Sequence, residues 1–226
     1  MTKVKICGLK TLADVNIVNR YLPEYVGFVF AKTKRFVTDE QALIMRKMLD
    51  KRIQAVGVFV DEPLEHVVRL CDTRVINIVQ LHGDETDTYI QKLKEKTGTS
   101  VIKAVRVQSA LQVVECISAE ADFMLFDTYK NGIPGGTGEC FSLKILQESF
   151  SKLRERNQTI KPYFLAGGLH CDNVVAVVRQ MDCYAVDVSS GVETDGVKDA
   201  IKIKQFIDCV RSDKKMKNQN MNLYIW

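Results

Sequence analysis

The sequence predicts an α/β protein built as a single (β/α)₈ TIM barrel, and three observations support this prediction. Short runs rich in β-branched and aromatic residues alternate with longer segments of helical periodicity. Eight such runs and eight helical segments fit into 226 residues, or about 28 residues for each pair. No low-complexity linker divides the chain. Alternating strands and helices form parallel βα units, and eight regular units favour a closed barrel over an open sheet.

The predicted strands are almost continuously apolar, which is typical of parallel strands covered on both faces. In chain order they are VKICG from Val4, YVGFVF from Tyr25, IQAVGVFV from Ile53, INIVQL from Ile76, SVIKAV from Ser100, DFMLFD from Asp122, PYFLAG from Pro162 and CYAVDVS from Cys183.

The predicted helices lie between these strands, with apolar residues at helical spacing. The clearest segments are 39–49, 64–71, 86–96, 110–117, 143–150, 173–179 and 200–210. Start signals agree with them, because Thr38 and Asp39 come before the second helix and Ser109 before the fifth. The barrel domain is therefore expected over residues 1–212. The polar and basic tail, 213–226, is expected to be loosely ordered.

Composition excludes several classes of protein. Hydrophobic residues make up 46% and charged residues 27%, as in globular proteins. The longest apolar stretch has seven residues, far below the ~18 needed for a membrane span. The first residues do not resemble a secretory signal, so a cytoplasmic protein is expected. Seven cysteines without a CxxC pair and three scattered histidines predict no metal site.

Charge argues against a nucleic-acid partner. The net charge is +4, and three lysines and one aspartate in residues 213–226 account for +2 of it. Residues 1–212 therefore carry only about +2, whereas nucleic-acid-binding proteins concentrate basic charge on one face. A small anionic substrate is compatible with this balance.

A phosphate site is predicted at the carboxyl ends of the strands, where barrel enzymes place their active sites. The loops AGGL and VSSGVE follow the seventh and eighth strands, and such glycine loops can direct N–H groups at phosphate. The candidate residues in these two loops are Gly167, Gly168, Ser189, Ser190 and Gly191. The loop YKNGIPGGTGECF after the sixth strand, with Gly136, could add further N–H groups or close over a substrate. Ordinary tight turns or a plain surface loop would look similar.

Two reactive side chains end strands. Cys7 ends the first strand and Asp127 the sixth, so both should face the barrel mouth. A thiol needs only a small lowering of its pKa, ~8.5, to act as a base, whereas an aspartate at ~3.9 needs a large increase to act as an acid. The alternative is that Cys7 is a buried thiol and Asp127 a helix cap or a salt-bridge partner. Arg35 could clamp a carboxylate or be solvated, while His82 and Asp187 are expected to line and order the rim rather than transfer protons.

Nine segments in the right order, spanning residues 3 to about 210, resemble the N-(5′-phosphoribosyl)anthranilate isomerase family of tryptophan biosynthesis. They are KICG at 5–8, GFVF at 27–30, KR at 34–35, VGVFV at 56–60, QLHG at 80–83, LFD at 125–127, PGGTG at 134–138, LAGGL at 165–169 and VDVSSGVE at 186–193. The resemblance implies a cofactor-free (β/α)₈ isomerase that rearranges an aminoaldose phosphate to an aminoketose phosphate.

The resemblance also implies residue roles. Asp127 is expected to protonate the ribose ring oxygen, Cys7 to remove the proton from the adjacent carbon, and Arg35 to hold the anthranilate carboxylate. The residues expected to bind the substrate, including its phosphate, are His82, Gly136, Gly167, Gly168, Asp187, Ser190 and Gly191. No metal and no cofactor are expected. The expected partner is a small phosphosugar–anthranilate substrate, without nucleic acid or membrane, and the expected state is a monomer or homodimer.

The sequence departs from the family pattern in two loops. AKTKR stands where a proline and a serine often precede the arginine, and ECFSL stands where an aspartate–tryptophan pair is common. Two other interpretations compete with this resemblance. The related histidine-pathway isomerase calls for an aspartate where Cys7 stands. A non-catalytic phosphate-binding barrel is expected to lose the acid or the base, and both are present here.

Overall fold

The computed structural model of the protein describes residues 1–118, 120–128 and 141–221, with side chains in the last range given for 143–212. Eight parallel strands follow each other around a closed barrel in chain order. The strands are β1 Lys3–Cys7, β2 Tyr25–Val29, β3 Gln54–Phe59, β4 Ile78–Leu81, β5 Ser100–Arg106, β6 Phe123–Asp127, β7 Tyr163–Ala166 and β8 Ala185–Val188.

Helices connect successive strands on the outside of this ring. They are α1 Leu12–Tyr21, α2 Asp39–Met48, α3 Leu64–Asp72, α4 Asp87–Thr97, α5 Ala110–Glu115, α6 Phe141–Glu155, α7 Cys171–Met181 and α8 Ala200–Met221. After β8, a 3₁₀ turn at Ser190–Val192 leads into a small hairpin of β9 Glu193–Thr194 and β10 Val197–Lys198. The predicted (β/α)₈ barrel is confirmed.

Closure depends on β1, which pairs with β2 on one side and with β8 on the other. The register on the β8 side sets Lys5 opposite Asp187. Strands β5 and β6 are in a register that sets Arg106 opposite Asp127. Because all eight strands run parallel, their carboxyl ends form one rim, where the sequence places its candidate groups.

Helix starts follow the predicted signals. The hydroxyl of Thr38 accepts from the N–H of Gln41, whose side chain accepts from the N–H of Thr38, so both ends of a capping box are present. Ser109 caps α5 in the same position. Helix α8 continues about eleven residues beyond the predicted stop at 210. Residues 211–221 have no apolar stripe, so periodicity could not predict this extension.

The core has two layers. Most buried residues lie between the outer faces of the strands and the helices. A smaller cluster fills the inside of the ring, where Tyr25, Leu125 and Phe164 are its largest members. At the amino end of the strands, the Nζ of Lys3 donates a hydrogen bond to the Oη of Tyr184 at 2.6 Å. This polar contact lies at the bottom of the barrel interior. Among the residues described, no helix is long and apolar enough to span a membrane.

Candidate active site

Cys7 ends β1 at the rim, and its side chain is partly exposed there. It lies opposite Gly27 of β2, where a β-carbon would approach the Cys7 Sγ to 2.7 Å. Glycine at this position therefore leaves room for the thiol. The Ser189 hydroxyl donates to the Cys7 carbonyl at 2.9 Å. That hydroxyl, expected to donate to phosphate, thus holds the backbone of β1 instead.

Lys5 lies two residues before Cys7 on the same face of β1 and is completely buried. Its Nζ is 2.7 Å from the Oδ2 of Asp187 in β8. The other carboxylate oxygen, Oδ1, is buried and has no hydrogen-bond partner among the described residues. Burial favours the neutral amine, but the Asp187 carboxylate and Cys7 raise the pKa of Lys5 above its ordinary value. A charged ammonium is therefore fixed beside the thiol.

Opposing effects set the protonation of Cys7. Burial raises the pKa of the Cys7 thiol above its ordinary value, whereas Lys5 and Lys198 act to lower it. A thiol that acts as a base near neutral pH needs a small lowering of its pKa, and here the net direction is the opposite. The site nevertheless supplies two cations that favour the thiolate, and neither was predicted.

Asp127 ends β6, and its Oδ2 is 3.7 Å from the Nε2 of His82. The amide nitrogen of Gln80, which can only donate, is 3.3 Å from the His82 Nδ1. The Gln80 side chain therefore contacts the ring at Nδ1, and Nε2 is the nitrogen that faces Asp127. Burial lowers the pKa of His82 below its ordinary value, although Asp127 opposes this effect. His82 is thus a neutral ring beside the carboxyl group.

Arg35 lies across the rim beside Gly8, whose backbone has φ +82° and where a β-carbon would overlap the Arg35 side chain. Its guanidinium donates two hydrogen bonds to the Glu193 carboxylate, from Nε to Oε1 at 2.9 Å and from Nη2 to Oε2 at 2.8 Å. The buried Nζ of Lys198 also donates to Oε1, at 2.8 Å. Although burial acts in the opposite direction, these hydrogen bonds lower the pKa of Glu193 to about 2.

The two predicted phosphate loops lie in contact. A β-carbon on Gly191 would overlap the carbonyl oxygen of Leu169, so the loop after β8 rests directly on the loop after β7. Gly167 and Gly168 have φ values of 100° and 64°, which favour glycine. Ser190 is exposed at the start of the 3₁₀ turn. Gly136 lies outside the described residues.

A cavity of about 590 Å³ opens beside this rim, between the ends of β4 and β5. His82 belongs to its wall, together with Arg106 and Lys103. Within the described ranges, no group of three His, Cys, Asp or Glu side chains could hold a metal ion. The chemistry available at the rim is therefore carried by a thiol, a carboxyl group and several cations.

The predicted residues are found at the same rim: Cys7, Arg35, His82, Asp127, Gly167, Gly168, Asp187, Ser190 and Gly191. Sequence reasoning missed Lys5, Glu193 and Lys198. Lys5 had a visible signal, since it is a charged residue within an apolar strand and two positions from Cys7. Glu193 is the last residue of the loop VSSGVE, and Lys198 lies in the hairpin after it; neither is a charged residue inside an apolar strand.

Comparison with known proteins gives a consistent result. The family model described as N-(5'phosphoribosyl)anthranilate (PRA) isomerase matches residues 4–209. The N-(5′-phosphoribosyl)anthranilate isomerase of Lachnoclostridium phytofermentans is 46% identical over 208 residues, which cover 91% of this chain and 95% of that relative.

Solved structures agree with this match. The phosphoribosyl anthranilate isomerase of Thermotoga maritima has a TM-score of 0.81 and 34% identity, covering 94% of this chain and all of the other. Another phosphoribosyl anthranilate isomerase, solved in complex with reduced 1-(o-carboxyphenylamino)-1-deoxyribulose 5-phosphate, has a TM-score of 0.77 and 31% identity, with the same coverage.

Proposed function

This chain belongs to the N-(5′-phosphoribosyl)anthranilate isomerase family, and from that premise we propose which side chains carry out its reaction. The chain is an isomerase of tryptophan biosynthesis. It converts N-(5′-phosphoribosyl)anthranilate to 1-(2-carboxyphenylamino)-1-deoxyribulose 5-phosphate. Aldose and ketose forms differ only in the position of hydrogen atoms, so the reaction needs an acid and a base at defined places.

Asp127 is the proposed acid. It protonates the ribose ring oxygen, the bond from that oxygen to C1 breaks, and the ring opens to a Schiff base between C1 and the anthranilate nitrogen. Its carboxyl group stands at the end of β6, with the uncharged ring of His82 beside it at 3.7 Å.

Cys7 is the proposed base. Its thiolate removes the proton from the carbon next to the Schiff base, and the resulting enolamine tautomerises to the aminoketose. Lys5 is the group that we assign to support this step, because its ammonium is buried, charged and on the same face of β1. Asp187 in turn fixes the ammonium at 2.7 Å. Lys5 therefore acts through Cys7 as a positioning residue.

Arg35 is the proposed ligand of the anthranilate carboxylate. Two of its five N–H groups hold Glu193. The remaining N–H groups are the donors assigned to the substrate, with Glu193 setting the plane of the guanidinium. This arrangement supports the role because a guanidinium fixed on one edge loses less freedom when its other edge binds.

The phosphate is assigned to the paired loops after β7 and β8. Gly167, Gly168 and Gly191 expose backbone at a close contact between the loops, and Ser190 adds an exposed hydroxyl. Gly136 remains a predicted contributor from outside the described residues. A cytoplasmic location, a monomer or homodimer, and a tail distinct from the barrel over 213–226 also stay predictions.

The observation that carries these assignments is that a thiol and a carboxyl group end β1 and β6 at one rim of a closed barrel. The test follows the loss of anthranilate-type fluorescence when purified protein meets freshly made phosphoribosylanthranilate. Turnover should fall at least ~10²-fold in Cys7→Ala and in Asp127→Asn, the usual size of an acid–base contribution. Cys71→Ala, which removes a thiol from α3, should retain the parent rate.

Each outcome separates one assignment from the rest. Turnover that survives Cys7→Ala would remove the base assignment and leave the activity intact. Turnover that survives Asp127→Asn would remove the acid assignment. A folded parent protein without turnover would redirect the search to other aldose–ketose rearrangements of phosphosugars.

A further inference from the structure

Cys171 and Cys209 bring their sulfur atoms within 2.7 Å of each other. Cys171 is the first residue of α7, and Cys209 lies in the described part of α8. Both side chains are partly exposed, and both are free thiols. A disulfide bond has an S–S length of ~2.05 Å, so only a small movement of the two side chains separates this contact from a bond.

The packing of α7 against α8 fixes the positions of the two thiols. The helices α7 and α8 are neighbours along the outer layer, and Val178 and Phe206 belong to the same buried cluster. The start of α7 is fixed to the preceding loop, because the Asn173 side chain donates to the Gly168 carbonyl at 2.9 Å. Neither cysteine belongs to the rim chemistry, so the pair is a cluster of nucleophilic side chains that the isomerisation does not use.

We propose that Cys171 and Cys209 are a reversible disulfide-forming site, oxidised by a low-molecular-weight disulfide such as oxidised glutathione. This inference does not depend on the isomerase assignment.

The exchange balances as two successive displacements. The Cys171 sulfur attacks one sulfur of oxidised glutathione, forming a mixed disulfide and releasing one glutathione thiolate. The Cys209 sulfur then attacks the Cys171 sulfur, closing the protein disulfide and releasing the second glutathione. The two protons of the cysteine thiols pass to the two glutathione thiolates, and the two electrons lost by the cysteines reduce the glutathione disulfide.

The order of the displacements follows from the environment of Cys209. Burial, the hydrogen bond with Cys171 and nearby carboxylates raise the pKa of Cys209 to about 11. A raised pKa disfavours the thiolate, which is the form that attacks a disulfide. Cys171, at the first turn of α7, is therefore assigned the first attack, and Cys209 the resolving step.

Peptide mapping tests the site directly. The full chain is equilibrated with oxidised or reduced glutathione, alkylated under denaturing conditions and digested with trypsin. Cleavage after lysine and arginine, except before proline, gives peptide 157–179 with Cys171 as its one cysteine and peptide 205–211 with Cys209 as its one cysteine. The expected product after oxidation is these two peptides joined, at a mass two hydrogens below their sum, and separated again by dithiothreitol.

Controls within the same chain make the result specific. Peptide 180–198, which carries the buried Cys183, should remain alkylated throughout. Cys209→Ser should abolish the joined peptides and leave Cys171 as a glutathione adduct, whereas Cys116→Ser should leave the joined peptides in place. The disulfide closes a long loop, so oxidation should raise the melting temperature by roughly 5 °C or more in the parent but not in Cys209→Ser.

Two results would overturn the proposal. One is that peptides 157–179 and 205–211 stay separate at every ratio of oxidised to reduced glutathione. The other is that either cysteine joins a different cysteine of the chain instead.

Discussion

A β-carbon on Gly27 would lie 2.7 Å from the Sγ of Cys7. Because Gly27 has no side chain, the Cys7 thiol of β1 fits against β2 at this position. The two residues are register partners, with Cys7 at the end of β1 and Gly27 in the middle of β2. A glycine in a strand interior normally weakens the strand, and here it marks a close approach. The position of the proposed base therefore depends on a residue that takes no part in proton transfer.

Replacing Gly27 with alanine should displace the thiol. We expect kcat to fall ~10- to 100-fold, since small misplacements of reacting groups have effects of this size. Gly57→Ala is the matched control, because its β-carbon would meet Phe59 at 2.7 Å and Ile76 at 2.8 Å, away from Cys7. Both variants should lose about 1–3 kcal/mol of stability by overpacking, but only Gly27→Ala should lose the rate. Equal rates in the two variants would contradict the close-approach argument.

Removing the Lys5 charge should affect stability and rate separately. Lys5→Met leaves Asp187 buried without its ion pair and should cost about 3–5 kcal/mol in the free energy of unfolding. Adding Asp187→Leu should restore much of this stability without restoring the rate. In the double variant, the rise of kcat/KM with pH should move to higher pH, because Lys5 lowers the pKa of Cys7 more than Asp187 raises it. An unshifted profile would leave Lys5 with a purely structural role.

Glu193→Gln should reduce stability in a pH-dependent way. Losing the carboxylate leaves Arg35 and the buried Lys198 without their anion, which should cost about 2 kcal/mol near neutral pH. The pKa of Glu193 is lowered to about 2 from the ordinary 4.5. Its stabilisation is therefore present above about pH 4.5 and disappears as the pH falls through about 2.

Chemical denaturation at several pH values checks the Glu193 prediction. The stability difference between parent and Glu193→Gln should shrink steadily between pH 5 and pH 2. Glu148→Gln, which removes an exposed partner of Lys152, should cost little at any pH. A difference for Glu193→Gln that stays constant down to pH 2 would contradict the lowered pKa.

Gly191→Ala should separate the two loops assigned to phosphate. Its β-carbon would overlap the Leu169 carbonyl oxygen, so the backbone of one loop must move. We expect KM to rise roughly 10-fold or more with a smaller change in kcat, as for a loss of binding shared by substrate and transition state. Gly57→Ala, whose β-carbon would press on Phe59 and Ile76 within β3 and away from these loops, should keep the parent KM. An unchanged KM in Gly191→Ala would argue against this phosphate site.

His66 should stabilise the barrel only below a certain pH. Its Nδ1 lies 2.7 Å from Glu62 and its Nε2 2.9 Å from Asp39, at the contact between α2 and α3. Although burial acts against it, these carboxylates raise the pKa of His66 above its ordinary 6.5. The stabilisation is complete below pH 6.5 and is lost as the pH rises through the higher folded-state value.

The variant His66→Gln tests this sign. At pH 5.5 the free energy of unfolding of the parent should exceed that of the variant by up to about 1 kcal/mol, the usual contribution of a solvent-accessible ion pair. At pH 9 the difference should be smaller. Urea denaturation of both proteins at the two pH values measures the difference. A larger difference at pH 9 would show that the neutral ring is the stabilising form.

The fold was predictable because each strand is a short apolar run and each helix has an apolar stripe, so local patterns and chain order agree. Cys7 and Asp127 were predictable for the same reason, since each is a polar residue at the end of such a run. Lys5 was not predictable in this way, because it lies inside its strand and not at the strand end. The Arg35–Glu193 pair joins loops 158 residues apart in the sequence. It could not be predicted from local patterns, because only the closed barrel brings the two loops together.

The Lys5–Asp187 pair also constrains how the chain folds as it is synthesised. Its two residues are 182 positions apart, on the first and last strands of the ring. Until β8 has emerged from the ribosome, the edge of β1 that pairs with β8 is open, and the Lys5 ammonium lacks the Asp187 carboxylate. The thiol beside it therefore acquires its charged surroundings only when the ring closes. In refolding experiments, catalytic activity should return only when β1 pairs with β8. Its recovery should therefore be slower than the recovery of helical circular dichroism.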